Sequence, residues 1–217
     1  MKKLLLALLT VAGLSSLFSG CAEKEAHTKG VYMLLDTSGT YTEELVKAQQ
    51  IINYILVNMN PGDTFAVSRI DTGSFSEKDI IAKVTFDDRP STTNEQKRAF
   101  RAKIDDFVKN VKSSPYTDVS GGLLQAVEYL NEAGPAEKTV LIFSDMKEEL
   151  KPGFKRDFPI QLDGFKVIAT NVIKLYSDIK DPTEYMDRLK MWQQKVEAGG
   201  GDWVVINDLE RLEPIFK

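Results

Sequence analysis

Apolar strand-like runs alternate with helix-like segments along this chain. The alternation predicts an α/β fold: a doubly wound, mostly parallel central sheet of about six strands, with one antiparallel edge strand and helices flanking both faces. Three observations carry that prediction. The first run, Val31-Tyr32-Met33-Leu34-Leu35, is apolar throughout, as a strand buried on both faces must be. Most later runs are separated from one another by segments with helical spacing. One pair of runs, 64–70 and 79–86, is instead joined through Gly73-Ser74-Phe75, a hairpin connection that requires antiparallel pairing.

Each element follows in order. Residues 42–59 carry Leu45, Ala48, Ile51, Ile52, Ile55 and Leu56 at helical spacing, and Pro61-Gly62 stops that helix. The second and third strands occupy 64–70 and 79–86, and a polar helix covers 93–111. A loop at 112–119 leads into a helix over 120–131. Residues 139–143 and 165–172 are further strands, and Met186, Leu189, Met191 and Trp192 mark 181–198 as helical. A last strand at 203–206 and a short terminal helix at 209–216 complete the series. In such a sheet a ligand binds beyond the carboxyl ends of the strands.

The first 29 residues belong to a different class. Met1-Lys2-Lys3 is positively charged, and 4–18 is apolar but interrupted by Thr10, Gly13, Ser15 and Ser16. That stretch falls short of the roughly 20 apolar residues a membrane-spanning helix needs and reads as a signal peptide. Leu17-Phe18-Ser19-Gly20-Cys21 resembles the lipobox of bacterial lipoproteins, although Phe18 stands where that family usually has Leu, Val or Ile. The resemblance implies cleavage after Gly20 and a covalent lipid on Cys21, and hence a membrane anchor in the cell envelope. Ala22 is not the aspartate that favours inner-membrane retention, so an outer membrane is implied where the cell has two. The domain expectation is therefore a signal at 1–20, a lipidated cysteine and polar tether at 21–29, and one folded domain at 30–217.

Composition narrows the chemistry. The net charge of −4 moves further negative once Lys2 and Lys3 are removed, which argues against nucleic acid as a partner. One cysteine excludes an intramolecular disulfide, and one histidine excludes zinc sites built from several Cys and His ligands. A histidine-based catalytic triad would have to use His27, in the polar tether.

The chemistry-bearing residues gather at strand ends. The first buried strand ends in Asp36-Thr37-Ser38-Gly39-Thr40, Thr117 lies in the loop before a helix, and Asp145 closes the run Leu141-Ile142-Phe143-Ser144-Asp145. Oxygen-only donors of this kind favour hard cations such as Mg²⁺ or Mn²⁺. The set Asp36, Ser38, Thr40, Thr117 and Asp145, with the order of elements around it, resembles the metal-ion-dependent adhesion site of von Willebrand factor A domains and integrin inserted domains. The similarity runs over roughly 29–217, with Thr40 where the family more often has Ser. It implies that the hydroxyls of Ser38, Thr40 and Thr117 bind the cation while Asp36 and Asp145 act largely through waters. An open position is then left for a carboxylate from a partner protein, and the function implied is non-catalytic binding.

Two other readings stand beside it. Asp36 to Thr40 approaches the Asp-x-Asp-Gly-Thr of haloacid dehalogenase-type phosphohydrolases, but Ser38 occupies the position of that family's second aspartate. The same turn could also be a metal-free hydrogen-bonded network in a plain scaffold. Elsewhere, Asp118 is placed to cap the following helix or to orient Thr117, with Ser120 a competing cap. Lys147, Glu148 and Glu149 form either a rim to the site or a solvated loop. Asp87-Asp88 reads as a polar turn, Gly199-Gly200-Gly201 as a helix stop, and Trp192 and Trp203 as core.

Overall fold

A computed structural model describes residues 27–208 and 210–216, without the side chains of Thr40, Thr42 and Glu43. The signal segment, Cys21 and most of the tether lie outside the described residues. Among the described residues six strands form one sheet: β1 (Lys29–Asp36), β2 (Thr64–Ile70), β3 (Ile80–Thr85), β4 (Glu137–Phe143), β5 (Phe165–Thr170) and β6 (Asp202–Ile206). Their spatial order is β3-β2-β1-β4-β5-β6. All neighbours are parallel except β2 and β3, which pair antiparallel with a register shift between Val67 and Ser68. The fold class is the one the sequence predicts.

Among the described residues five α-helices flank the sheet: α1 (Leu45–Asn58), α2 (Pro90–Asn110), α3 (Val119–Ala133), α4 (Tyr176–Lys180) and α5 (Pro182–Ala198). Strand pleating divides β1 between two cores. Val31, Met33 and Leu35 join one core with Ile51, Ile52, Ile55 and Phe100. Tyr32 and Leu34 join the other with Leu123, Leu130, Val196 and Trp192. Helix α3 carries Gly121-Gly122 in its first turn, poor helix formers that its packing requires. A Cβ on Gly122 would lie 3.1 Å from Leu34 Cδ2, and one on Gly121 only 2.6 Å from Asp118 Oδ2.

Four local expectations need correction. The helix expected over 42–59 is preceded by a 3-10 turn, Gly39–Glu44, closed by Tyr41 N–H donating to Ser38 O at 2.8 Å, and becomes α-helical only at Leu45. The polar helix begins at Pro90 rather than 93, because proline suits the first helical position, where no N–H is needed. The terminal helix expected over 209–216 reduces to a 3-10 turn, Glu213–Phe216. Pro214 disfavours helical geometry in the residue before it and has no N–H of its own. Trp192 is fully buried, but Trp203, on edge strand β6, is only half-buried.

Candidate metal centre

The strand order reverses between β1 and β4, whose chain neighbours run outward in opposite directions. The crevice beyond the carboxyl ends of these two strands is the topological switch point, where ligands bind in open α/β sheets. Asp36 ends β1, and Asp145 follows β4 by two residues. Ser38, Thr117 and Asp145 line one concavity of about 520 Å³, together with Ser114, Lys147, Glu149 and Leu175. Asp36 lies beneath it, fully buried. Thr40 is in the 3-10 turn after Ser38, its side chain outside the described residues.

Hydrogen bonds hold the loops in register. Asp36 Oδ1 accepts from Ser38 N–H at 2.8 Å, and Asp36 Oδ2 accepts from Ser144 Oγ at 2.6 Å, which ties the β1 and β4 ends together. Thr37 Oγ1 donates to Ile70 O at 2.9 Å and binds the β2 end to the same frame. Ser114 N–H donates to Thr37 O at 2.8 Å, so the loop before α3 runs alongside Ser38. Thr117 and Glu149 exchange backbone hydrogen bonds, both at 2.9 Å. Behind Thr117, Asp118 caps α3 through Gly121 N–H at 2.8 Å and forms a forked pair with Arg156, its closest contact 2.6 Å. Ser120 is not the cap; its hydroxyl accepts from Lys195 at 2.5 Å.

Two buried carboxylates at one point are electrostatically costly. Burial raises Asp36 above the usual carboxylate range, against the lowering effect of its Ser144 and Ser38 hydrogen bonds. Burial likewise pushes Asp145 up to about 6, and the charge of Asp36 adds to the effect. The backbone after Asp145 turns through Met146 at φ 64°, a left-handed conformation unusual for a residue with a side chain. It is held there by Ser144 Oγ accepting from Met146 N–H at 3.0 Å and by Trp192 Nε1 donating to Met146 O at 2.8 Å.

The donor set fits a hard divalent cation. The Ser38 and Thr117 hydroxyls and the Asp145 carboxylate line the same concavity, with the raised Asp36 carboxylate close behind. Among the described residues no group of three or more His, Cys, Asp or Glu side chains could hold a metal, so any ion here depends on hydroxyls. Asp36 suits a nucleophile poorly, since it is sealed from solvent and both oxygens accept hydrogen bonds.

Several supporting residues escaped the sequence reading. Arg188 Nε donates to Asp145 O at 2.9 Å while Arg188 pairs with Asp178 at 2.8 Å. Arg156 is equally silent in sequence, and Ser144, just past the end of β4, gave only the faint signal of a polar residue directly after an apolar run. Of the residues after Asp145, Lys147 and Glu149 do rim the concavity, whereas Glu148 accepts from Ser120 N–H at 2.7 Å and supports α3.

The sequence matches no family model and no curated protein. Solved structures share the fold. A von Willebrand factor type A protein from Catenulispora acidiphila superposes with a TM-score of 0.53 at 14% identity, covering 86% of this chain and 40% of that one. An aerotolerance-related membrane protein from Bacteroides fragilis gives 0.50 at 12% identity, over 86% of this chain and 96% of the other. The pilus adhesin SpaC from Lactobacillus rhamnosus GG, in its open conformation, gives 0.52 at 10% identity, over 88% of this chain and 29% of the adhesin. The chain thus spans less than half the length of the first and third of these proteins. It has the von Willebrand factor A fold.

Proposed function

We propose that this chain is an envelope-anchored, non-catalytic binding module that recognises an acidic group on a partner protein through a Mg²⁺ or Mn²⁺ ion. The observation that carries the reading is the convergence of Ser38, Thr117 and Asp145 on one concavity, above a buried Asp36, at the switch point of the sheet. Ser38, Thr40 and Thr117 would hold the ion through hydroxyl oxygens, with Asp36 and Asp145 supplying negative charge. The ion supplies an electrophilic position for an incoming carboxylate. The hydroxyl donors add no charge of their own, and with the two carboxylates acting largely through waters the ion would stay attractive to an anionic ligand from outside.

This chain's own residues do the orienting. Ser144 and Ser38 fix both oxygens of Asp36, and Glu149 and Asp118 hold the segment on either side of the Thr117 side chain. The envelope location, and an outer-membrane one where two membranes exist, rests on the lipobox-like sequence at Cys21. Similarity of fold to a membrane protein and a pilus adhesin is consistent with it.

The test is capture of envelope proteins on the immobilised full chain, in Mg²⁺ and in EDTA. The reading expects partners retained in Mg²⁺, released by EDTA and lost with Asp145→Ala. Partners held equally in EDTA would contradict it.

A further inference from the structure

Helix α4 stands directly beside the concavity, since Leu175, the residue before it, is part of the lining. Its inward face is fixed by charge. Asp178 is buried and accepts from Leu175 N–H at 2.7 Å and from Arg188 Nη1 and Nη2 at 3.1 and 2.8 Å. The same Arg188 donates to the Asp145 carbonyl, so α4 is fastened to the backbone that carries Asp145. Helical geometry then turns Tyr176 and Ile179 away from Asp178, and they are 74% and 71% exposed.

Apolar residues scattered singly over a surface need no explanation. Here two large ones share one face of a one-turn helix clamped beside a proposed cation site. Two lysines flank this face: Lys180 lies 5.0 Å from the Tyr176 ring, and Lys174 precedes Leu175. The nearest carboxylates of the helix pair are engaged elsewhere, Asp178 by Arg188 and Asp181 as the cap of α5, accepting from Thr183. The two lysines favour an acidic, apolar ligand.

We propose that the outward face of α4, Tyr176 and Ile179, is the specificity surface of the site and receives a bulky apolar side chain adjacent to the metal-binding carboxylate of a protein partner. The proposal rests on the metal reading above. A carboxylate seated beside Leu175 brings side chains one or two positions along an extended segment about 3–7 Å further, onto Tyr176 and Ile179.

The test is selection of displayed random peptides on the full chain, in Mg²⁺ and in EDTA, beside calorimetry of Mg²⁺ alone. Peptides recovered only in Mg²⁺ should carry Asp or Glu within two positions of Phe, Leu, Ile, Met or Trp. Their affinity should fall about tenfold or more on the Tyr176→Ser/Ile179→Ser variant, while that variant binds Mg²⁺ as the parent does. Mg²⁺-dependent peptides without apolar neighbours, or indifferent to the variant, would overturn the proposal. So would the absence of any Mg²⁺-dependent peptide from a chain that binds Mg²⁺. A chain that gives no Mg²⁺ binding fails at the earlier step, and both readings fall together.

Discussion

Asp145 shows how a single residue links stability to function. Its folded pKa of about 6 lies above the unfolded value of about 3.9, so the fold disfavours its ionised form. Without a cation the domain therefore loses stability as pH rises from about 4 through about 6, and a divalent metal held at the proposed site would offset the loss. Thermal unfolding without metal should show Asp145→Asn more stable than the parent at pH 7.5, with the difference vanishing near pH 4. A parent that is the more stable at pH 7.5 would contradict the sign. The metal-induced rise in Tm of the parent should likewise shrink below pH 6, where Asp145 takes up a proton. At this scale the sequence was informative about candidate donors and nearly silent about what holds them. Asp36 and Asp145 stand out because they end apolar runs, Ser38 because it follows Asp36 in the same turn, and Thr117 by its place in the loop before a helix. Arg188 and Arg156 act across 43 and 38 positions of chain, a distance no local pattern encodes.

Among the elements, α4 and α5 depend on the Arg188–Asp178 pair, almost wholly out of water at 10% and 0% side-chain exposure. The Arg188 guanidinium holds the Asp178 carboxyl below its usual range. The pair therefore stabilises at pH above the unfolded carboxylate value of about 3.9 and loses its effect as pH falls through the depressed folded value. Arg188→Met should cost about 3–5 kcal/mol at pH 7 by leaving a buried carboxylate unpaired, and Arg188→Met/Asp178→Leu should recover much of it. Chemical denaturation measures both; a double variant no better than the single would show that the pair is not the cause. The same scale explains the partial legibility of the elements. Long periodic segments such as α1 and α5 were readable, and the hairpin gave away the antiparallel β3. The one-turn α4 was not, because Tyr176–Lys180 is too short to show a period and is held by Arg188 rather than by propensity. The terminal helix expected over 209–216 is shorter because Pro214 disfavours α-helical geometry before it and has no N–H of its own, which leaves a 3-10 turn.

For the whole molecule, the two cores on opposite sides of β1 fix where the crevice opens, so damage to packing and damage to the site can be separated. Leu34→Ala, in a fully buried position against Gly122, should cost about 2–5 kcal/mol of unfolding free energy. It should leave metal affinity nearly unchanged while the domain stays folded. The central claim is the cation, and its most direct test is calorimetric titration of the full chain with Mg²⁺ and Mn²⁺ beside Asp36→Ala. The account predicts saturable binding by the parent and none by a folded Asp36→Ala variant. Binding that survives the substitution, or no binding by the parent at millimolar metal, would contradict it.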